Sequence, residues 1–355
     1  MTLTNQTVLE ALHEIQAPGS PHSLVEAGTI RDLVIEGSTI RLSLAVQVRE
    51  PSDVQELRTR VEAALQAMDE VGEVDLQIQP MMPMASAAPQ PAPERETWAD
   101  KIPGIKRVVA VASGKGGVGK STVSANLAHA LAGLGFTVGL LDADIYGPSQ
   151  QLMMGAAGEP EGDEEGRIHP VQAPGGVRVM SFGYLVDTDQ PVIWRGPLLQ
   201  KALEQFFGDV HWGELDYLIV DLPPGTGDVA LTLCQNVPLA GAIIVTTPQD
   251  VALIDARKGL NMFTKLDTRV LGIVENMAGF ACPNCGHVEA IFSAGGGART
   301  AETLGLPLLG SVPLDPAVVV GGDTGKPIVL EDPDSASAKV FVEIADKVAE
   351  ATAET

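Results

Sequence analysis

The chain reads as an α/β protein, a mostly parallel, doubly wound sheet preceded by a small α+β domain, and three observations lead there. From about Lys101 onward, short valine- and isoleucine-rich runs alternate with segments whose apolar residues recur at helical spacing, as buried parallel strands and their crossover helices require. A glycine-rich string joins the first of these strands to the first of these helices. Between Pro80 and Thr97 the composition turns to Pro, Ala, Met and Gln with neither period, marking a semi-extended linker. The chain thus divides into a small domain (1–79), a linker (80–100) and a large domain (101–355).

In the small domain, Val8, Leu9, Leu12 and Ile15 mark a helix, and residues 30–35 and 40–46 alternate as strands joined through Gly37-Ser38. Val54, Leu57, Val61, Ala64, Leu65 and Met68 mark a second helix and residues 74–78 a last strand, an αββαβ pattern. In the large domain, residues 107–113 form the first strand, and Val123, Leu127, Ala130, Leu131 and Leu134 the first helix, with Gly135 as its stop. Further strands are expected at 136–141, 217–220, 242–245, 270–274 and 308–312, and a final helix with one apolar and one acidic face at 335–351. The acidic run 158–166 reads as a solvated loop insertion, and no internal repeat is present.

Gly114-Lys115-Gly116-Gly117-Val118-Gly119-Lys120-Ser121 satisfies Gly-x-x-x-x-Gly-Lys-[Ser/Thr], the loop that cradles a triphosphate, with an additional lysine, Lys115, near its start. The glycines let consecutive backbone N–H groups turn toward an anion. Lys120 would meet the β- and γ-phosphates of ATP, Ser121 would ligate Mg²⁺, and the N-terminal end of the following helix would add its field. A second strand ends in Asp142-Ala143-Asp144 and another in Asp221, followed by Leu222-Pro223-Pro224-Gly225-Thr226-Gly227-Asp228. Ligands of open parallel sheets bind at that edge, so three strand ends converge on one place. Asp221 would hold the Mg²⁺ shell, and Asp144 would orient or deprotonate the attacking water. A lone aspartate in such a turn is ordinarily a helix cap; its coincidence with the loop changes the reading.

Composition bounds the partners. A formal charge of −23 disfavours nucleic acid and anionic lipid, both of which need basic surface, and fits a solubility adaptation better. With 45% hydrophobic residues a sizeable core is available, yet no run reaches the length of a membrane span. The first residues lack a basic start and an apolar core, so a cytoplasmic location is expected.

The second chemical signal is Cys282-Pro283-Asn284-Cys285, followed by Gly286-His287. Two thiolates at this spacing can bind one metal from one turn, as in zinc and iron–sulfur sites. The chain has three cysteines, and Cys234 sits in an apolar stretch that suits a buried thiol. A tetrathiolate site would therefore need two subunits, each giving two cysteines at a dimer axis. His287 is an alternative third ligand, and a redox pair or plain zinc knuckle are alternative roles; spacing leaves zinc and iron–sulfur both open.

Gly114 to Thr122, Leu141-Asp142-Ala143-Asp144-Ile145-Tyr146-Gly147-Pro148-Ser149, Trp194-Arg195-Gly196-Pro197, Asp221 to Asp228 and Cys282-Pro283-Asn284-Cys285 follow one another in this order. Together they closely resemble the Mrp/ApbC family of iron–sulfur cluster carrier ATPases, within the deviant Walker A group of MinD-like enzymes. The resemblance covers about Lys101 to the C-terminus. It implies that Lys115 reaches across a nucleotide-sandwich homodimer to the partner's ATP, that Asp144 and Asp221 are the switch I and Walker B acids, and that the Asp228 segment is switch II. It implies adenine recognition by Asn276 and a labile [4Fe-4S] cluster held by Cys282 and Cys285, received from upstream assembly factors and delivered to apo-proteins with slow ATP hydrolysis. Trp194-Arg195-Gly196-Pro197 is read as a packing and dimer-contact segment. The N-terminal domain resembles that of cytosolic iron–sulfur assembly factors, but has Ala17-Pro18-Gly19 where those have Asp-Pro-Glu, and no cysteine. Client docking is thus expected of it in preference to cluster binding. Three rivals share features of the chain: a MinD/ParA-type positioning ATPase, which would need a basic tail or patch; a nitrogenase-like reductase, whose cysteines resemble widely separated single residues; and a zinc-stapled nucleotide-binding adaptor.

Overall fold

The computed structural model describes residues 3–17, 22–47, 51–68, 70–81, 98–185, 196–225, 227–281, 285, 287–292 and 295–353. They fall into two units, within 1–94 and 95–355, each with its own core.

The first unit runs α1 (Asn5–His13), β1 (Ile30–Glu36), β2 (Thr39–Gln47), α2 (Pro51–Gln66) and β3 (Glu73–Met81). β1 and β2 form an antiparallel hairpin and β3 joins β2 in parallel. Two periodicities build the core: every second residue of β2 (Ile40, Leu42, Leu44, Val46) and every fourth of α2 (Leu57, Val61, Leu65) is buried, with Val8 and Leu12 of α1 beside them. β3 runs to Met81, pairing Pro80 and Met81 with Val46 and Gln47, so the first two residues of the expected linker belong to the sheet. A proline is tolerated there because β3 is an edge strand, whose outer N–H groups have no ladder partner to lose.

The second unit opens with a short 3-10 helix, Trp98–Lys101, then β4 (Val108–Ser113), α3 (Lys120–Gly133), β5 (Val138–Asp142), α4 (Gln150–Met153), β6 (Glu161–Gly162), β7 (Ile168–His169), β8 (Val171–Gln172) and β9 (Arg178–Ser181). After these come α5 (Gly196–Gly208), β10 (Tyr217–Asp221), α6 (Asp228–Asn236), β11 (Leu239–Thr246), α7 (Asp250–Lys265), β12 (Val270–Ala281) and β13 (Val288–Glu289). α8 (Gly296–Leu304), β14 (Leu308–Leu314), α9 (Pro316–Thr324), α10 (Ile328–Glu331) and α11 (Ala336–Ala351) complete it. The sheet has a parallel spine in the order β9-β5-β10-β4-β11-β12-β14, with β8 and β13 added antiparallel at β9 and β12. β4 is central, and the chain leaves it toward β5 on one side and returns to β11 on the other, so its C-terminal end is the topological switch point.

Alternate residues of β4 face two helical layers. Val109 and Val111 pack with Leu127 of α3 and with Phe341, Ile344 and Val348 of α11, while Val108, Ala110 and Ala112 pack with Phe206, Phe207 and Phe263. Trp98 joins the second layer, its ring 5.6 Å from Phe207 and only 4% exposed, so the expected linker ends before it: a large aromatic is more stable buried than free in a tether. The acidic run stays largely exposed and carries a small local structure. β6 and β7 form a small hairpin in which Asp163 accepts from the backbone N–H groups of Arg167 and Glu165 and from Arg167 Nε. Those bonds, the Arg167 backbone N–H foremost, hold its carboxyl well below the usual range.

A buried imidazole in α3 lacks hydrogen-bond compensation. His129 of α3 is 1% exposed, and neither ring nitrogen has a hydrogen-bond partner among the described residues. Burial lowers its pKa to about 4 from 6.5, so between these values the unfolded chain binds a proton that the native state refuses. Stability therefore falls as pH drops from 6.5 toward 4, by about 2 kcal/mol from this residue at pH 5. Urea unfolding of wild type and His129→Leu at pH 7.5 and 5 should show that much less acid loss in the variant; equal losses would contradict a neutral, unpartnered imidazole.

Candidate nucleotide and metal-cluster sites

Strand register assembles the site. Asp221, the last residue of β10, lies beside Val111 of β4 on one side and Asp142, the last of β5, on the other; Asp142 in turn lies beside Ser181, the last of β9. Two aspartates are thereby held side by side at the sheet edge, both completely buried. Asp142 Oδ1 accepts from the Asp144 N–H at 3.1 Å, and Oδ2 from the N–H groups of Ser149 (2.9 Å) and Gln150 (3.0 Å) and from Ser181 Oγ (3.0 Å). Burial first and the Asp221 charge second push its carboxyl up to about 7, against the three backbone donors. Asp142 thus fastens the turn that carries Asp144.

Asp221 is saturated differently. Its Oδ1 accepts from Lys120 Nζ at 2.6 Å and Ser124 Oγ at 2.9 Å, and its Oδ2 from Gln150 Nε2 at 2.8 Å. Lys120, 6% exposed, also lies 3.8 Å from Asp144 Oδ2 and 3.2 Å from Ser121 Oγ. Burial raises the Asp144 pKa, with Lys120 opposing and Asp221 adding to the rise. One buried ammonium therefore serves two carboxylates, Asp221 and Asp144, and each is costly to hold without it.

The loop between β4 and α3 is shaped by two glycines that no other residue replaces. Gly119, at φ +80°, precedes α3, and a Cβ there would fall 2.1 Å from Asn276 Nδ2; at Gly114 a Cβ would fall 2.3 Å from the backbone carbon of Asp255 in α7. Gly114 thus lies against α7. Ser113, Lys115, Gly116, Gly117, Val118, Gly119, Lys120, Ser121, Thr122, Asp144 and Pro224 line an open cavity of about 260 Å³ in front of the α3 N-terminus. Converging N–H groups, a helix N-terminus and Lys120 suit it to a phosphate chain. The donor set of Ser121 hydroxyl with the Asp144 and Asp221 carboxylates suits Mg²⁺, which needs only one or two carboxylates beside water and substrate oxygens. Accordingly, no group of three His, Cys, Asp or Glu side chains forms a ready metal cage among the described residues.

Two residues with expected nucleotide roles make contacts within the chain. Asn276, 6% exposed, donates one Nδ2–H to the Val118 carbonyl at 2.9 Å and so braces the phosphate loop, leaving its second N–H and Oδ1 for another partner. Lys115 is half-buried with Nζ 3.3 Å from Gln249 Oε1 of its own chain. Cys282 lies outside the described residues, as do Thr226, Trp194 and Arg195. β12 and β13 pair antiparallel, Phe280 with Glu289 and Ala281 with Val288. Cys285 and His287 are exposed. Cys234, half-buried in α6, has its thiol pKa raised by burial.

Sequence reasoning passed over Ser124, Asp142, Gln150 and Ser181. Ser124 had a signal, one helical turn beyond Lys120, and Asp142 stands two residues before Asp144 on the same strand end. Gln150 and Ser181 reach the site only through tertiary register.

A lysine- and serine-tipped glycine loop at the switch point of a parallel sheet, facing a strand-end aspartate, defines a P-loop NTPase. The chain belongs to the family described as NUBPL iron-transfer P-loop NTPase, which matches residues 104–349, and its residues 5–76 match the family described as Iron-sulfur cluster assembly protein. The Iron-sulfur cluster carrier protein of Synechocystis sp. is 44% identical over 351 residues, 98% of this chain and 97% of the relative. That of Aquifex aeolicus is 43% identical over 358 residues, with 96% of each covered. Among solved structures, a nucleotide-binding protein from Archaeoglobus fulgidus in complex with ADP is 38% identical, with TM-score 0.60 over 69% of this chain and 96% of that one. The cell division ATPase MinD of Pyrococcus furiosus, 24% identical with TM-score 0.52 over 69% of this chain and 99% of that one, shares the fold.

Gly119→Ala should weaken ATP and ADP binding on the order of tenfold or more, since a left-handed alanine costs about 1–2 kcal/mol and its methyl displaces Asn276. Calorimetric titration of the variant, with its thermal melt unchanged within a few degrees, checks this; wild-type affinity would contradict the loop geometry.

Proposed function

We propose that this chain is an ATP-dependent carrier of a labile [4Fe-4S] cluster, working as a homodimer that delivers the cluster to apo-proteins. The observation that carries the reading is the arrangement of β12, which braces the phosphate loop through Asn276 and then runs into the hairpin of the one Cys-x-x-Cys in the chain. One pair of thiolates fills half of a tetrathiolate site, so a second subunit supplies the rest. The names of the full-length relatives and the ADP held by a solved relative support both halves of the proposal.

The chain's own residues would act as follows. Lys120 leaves Asp221 and turns to the β- and γ-phosphates, while the loop N–H groups hold the oxygens that remain. Asp221 and Ser121, with Asp144 beside them, hold Mg²⁺, which supplies neutralisation of phosphate charge when bound. Asp144 orients the attacking water. Lys115 exchanges Gln249 for the partner's nucleotide, tying hydrolysis to dimer geometry and so to the separation of the two Cys-x-x-Cys pairs. Turnover is slow because the step gates a conformational change. The small domain docks client proteins or assembly factors. No described helix is long and apolar enough to cross a membrane, and action in the cytoplasm suits the proposal.

Anaerobic reconstitution with iron and sulfide tests the cluster. About four iron per dimer with a broad visible absorption is expected, lost in Cys282→Ala/Cys285→Ala; equal iron in that variant sinks the carrier reading. Lys120→Arg, which keeps the buried charge but changes its geometry, should retain the cluster and lose ATP-dependent delivery to an apo-protein. Undiminished delivery would separate the ATPase from transfer.

A further inference from the structure

We propose that Gln150 is a positioning residue for nucleotide-bound Mg²⁺, acting by orienting Asp221 against the phosphate-loop helix. Gln150 is completely buried. Its Nε2 donates to Asp221 Oδ2 at 2.8 Å and to the Ser121 carbonyl at 2.9 Å, so a single amide ties the strand-end carboxylate to the first turn of α3. Its backbone N–H, donated to Asp142 Oδ2 at 3.0 Å, fixes where that amide starts. The amide orientation is forced: turned over, Oε1 would face a carbonyl and a carboxylate, two acceptors with no proton between them.

The choice of an amide has a chemical reason. Asp221 has two partners on Oδ1, Lys120 and Ser124, and Gln150 on Oδ2. Once Lys120 turns to phosphate, Ser124 and Gln150 are the neutral donors left to hold the carboxylate. A cation in place of Gln150 would compete with the metal for that charge, and a carboxylate would repel Asp221. An amide fixes orientation and leaves the charge available to Mg²⁺. Gln150 Oε1 is meanwhile a buried acceptor without a partner among the described residues. Asp142 holds the turn of Asp144, Gln150 closes that turn onto Asp221, and together they give the metal ligands a common frame.

The inference rests on the reading of the loop as a nucleotide·Mg²⁺ site, and equilibrium binding distinguishes the two. Fluorescent ADP is titrated into full-length wild type, Gln150→Met and Gln150→Glu, once in EDTA and once in MgCl₂, with nucleotide-free thermal melts recorded alongside. Wild type should bind ADP more tightly with Mg²⁺. Gln150→Met should lose about tenfold of that gain, the usual cost of removing a group that orients a metal ligand, and Gln150→Glu more, while affinity in EDTA stays within about twofold. A Mg²⁺ gain that survives in a folded variant, or affinity that falls equally with and without Mg²⁺, overturns the role of Gln150. A wild type with no Mg²⁺ gain overturns the nucleotide-site reading and Gln150 with it.

Discussion

The buried pairing of Asp142 with Asp221 is the constraint around which the large domain is arranged. Parallel register places the two carboxylates at neighbouring strand ends, where neither reaches water and each disfavours the other's charge. Everything nearby answers that cost. Backbone N–H groups of the turn after β5 converge on one carboxylate, a lysine and two neutral side chains on the other. Because Lys120 is engaged in this neutralisation, a phosphate that recruited it would leave Asp221 with its neutral donors alone.

A second polar row runs along the other half of the same sheet edge. Glu275 of β12 lies in register with Thr246 of β11 and Ser311 of β14, and is almost wholly buried. Its Oε1 accepts the Gly297 N–H at the start of α8, at 2.6 Å, and its Oε2 accepts from Ser311 Oγ. The carboxylate meets the positive end of the helix, a favourable placement that anchors α8 to β12 one residue before Asn276. The strand under the phosphate loop is therefore held from both sides.

What was legible in the chain was what is local. The loop, Lys120, Ser121 and the strand-end aspartates follow from spacing within a few residues, and the αββαβ and alternating α/β patterns follow from the two apolar periods. The adjacency of Asp142 and Asp221 was not legible, because it depends on which strands of a parallel sheet are neighbours, a tertiary matter. Gln150 and Ser181 were hidden for the same reason. Pro80 misled because an edge strand forgives a proline, and within the exposed 158–166 run the turn folded around Asp163 could not be read from net charge. Asn276 was read from its motif alone, and its hydrogen bond to the loop backbone depends on tertiary placement.

β12 is broken just past that hydrogen bond. Met277 adopts φ +59°, and pairing with β14 loses register between Asn276 and Phe280 before the hairpin with β13 resumes. A bulge absorbs differences in length and direction between the segments on either side. The half that braces the phosphate loop and the half that leads into the cysteines are thus registered independently. A change of length or direction on the β13 side of the bulge therefore leaves the alignment of the nucleotide-binding half undisturbed.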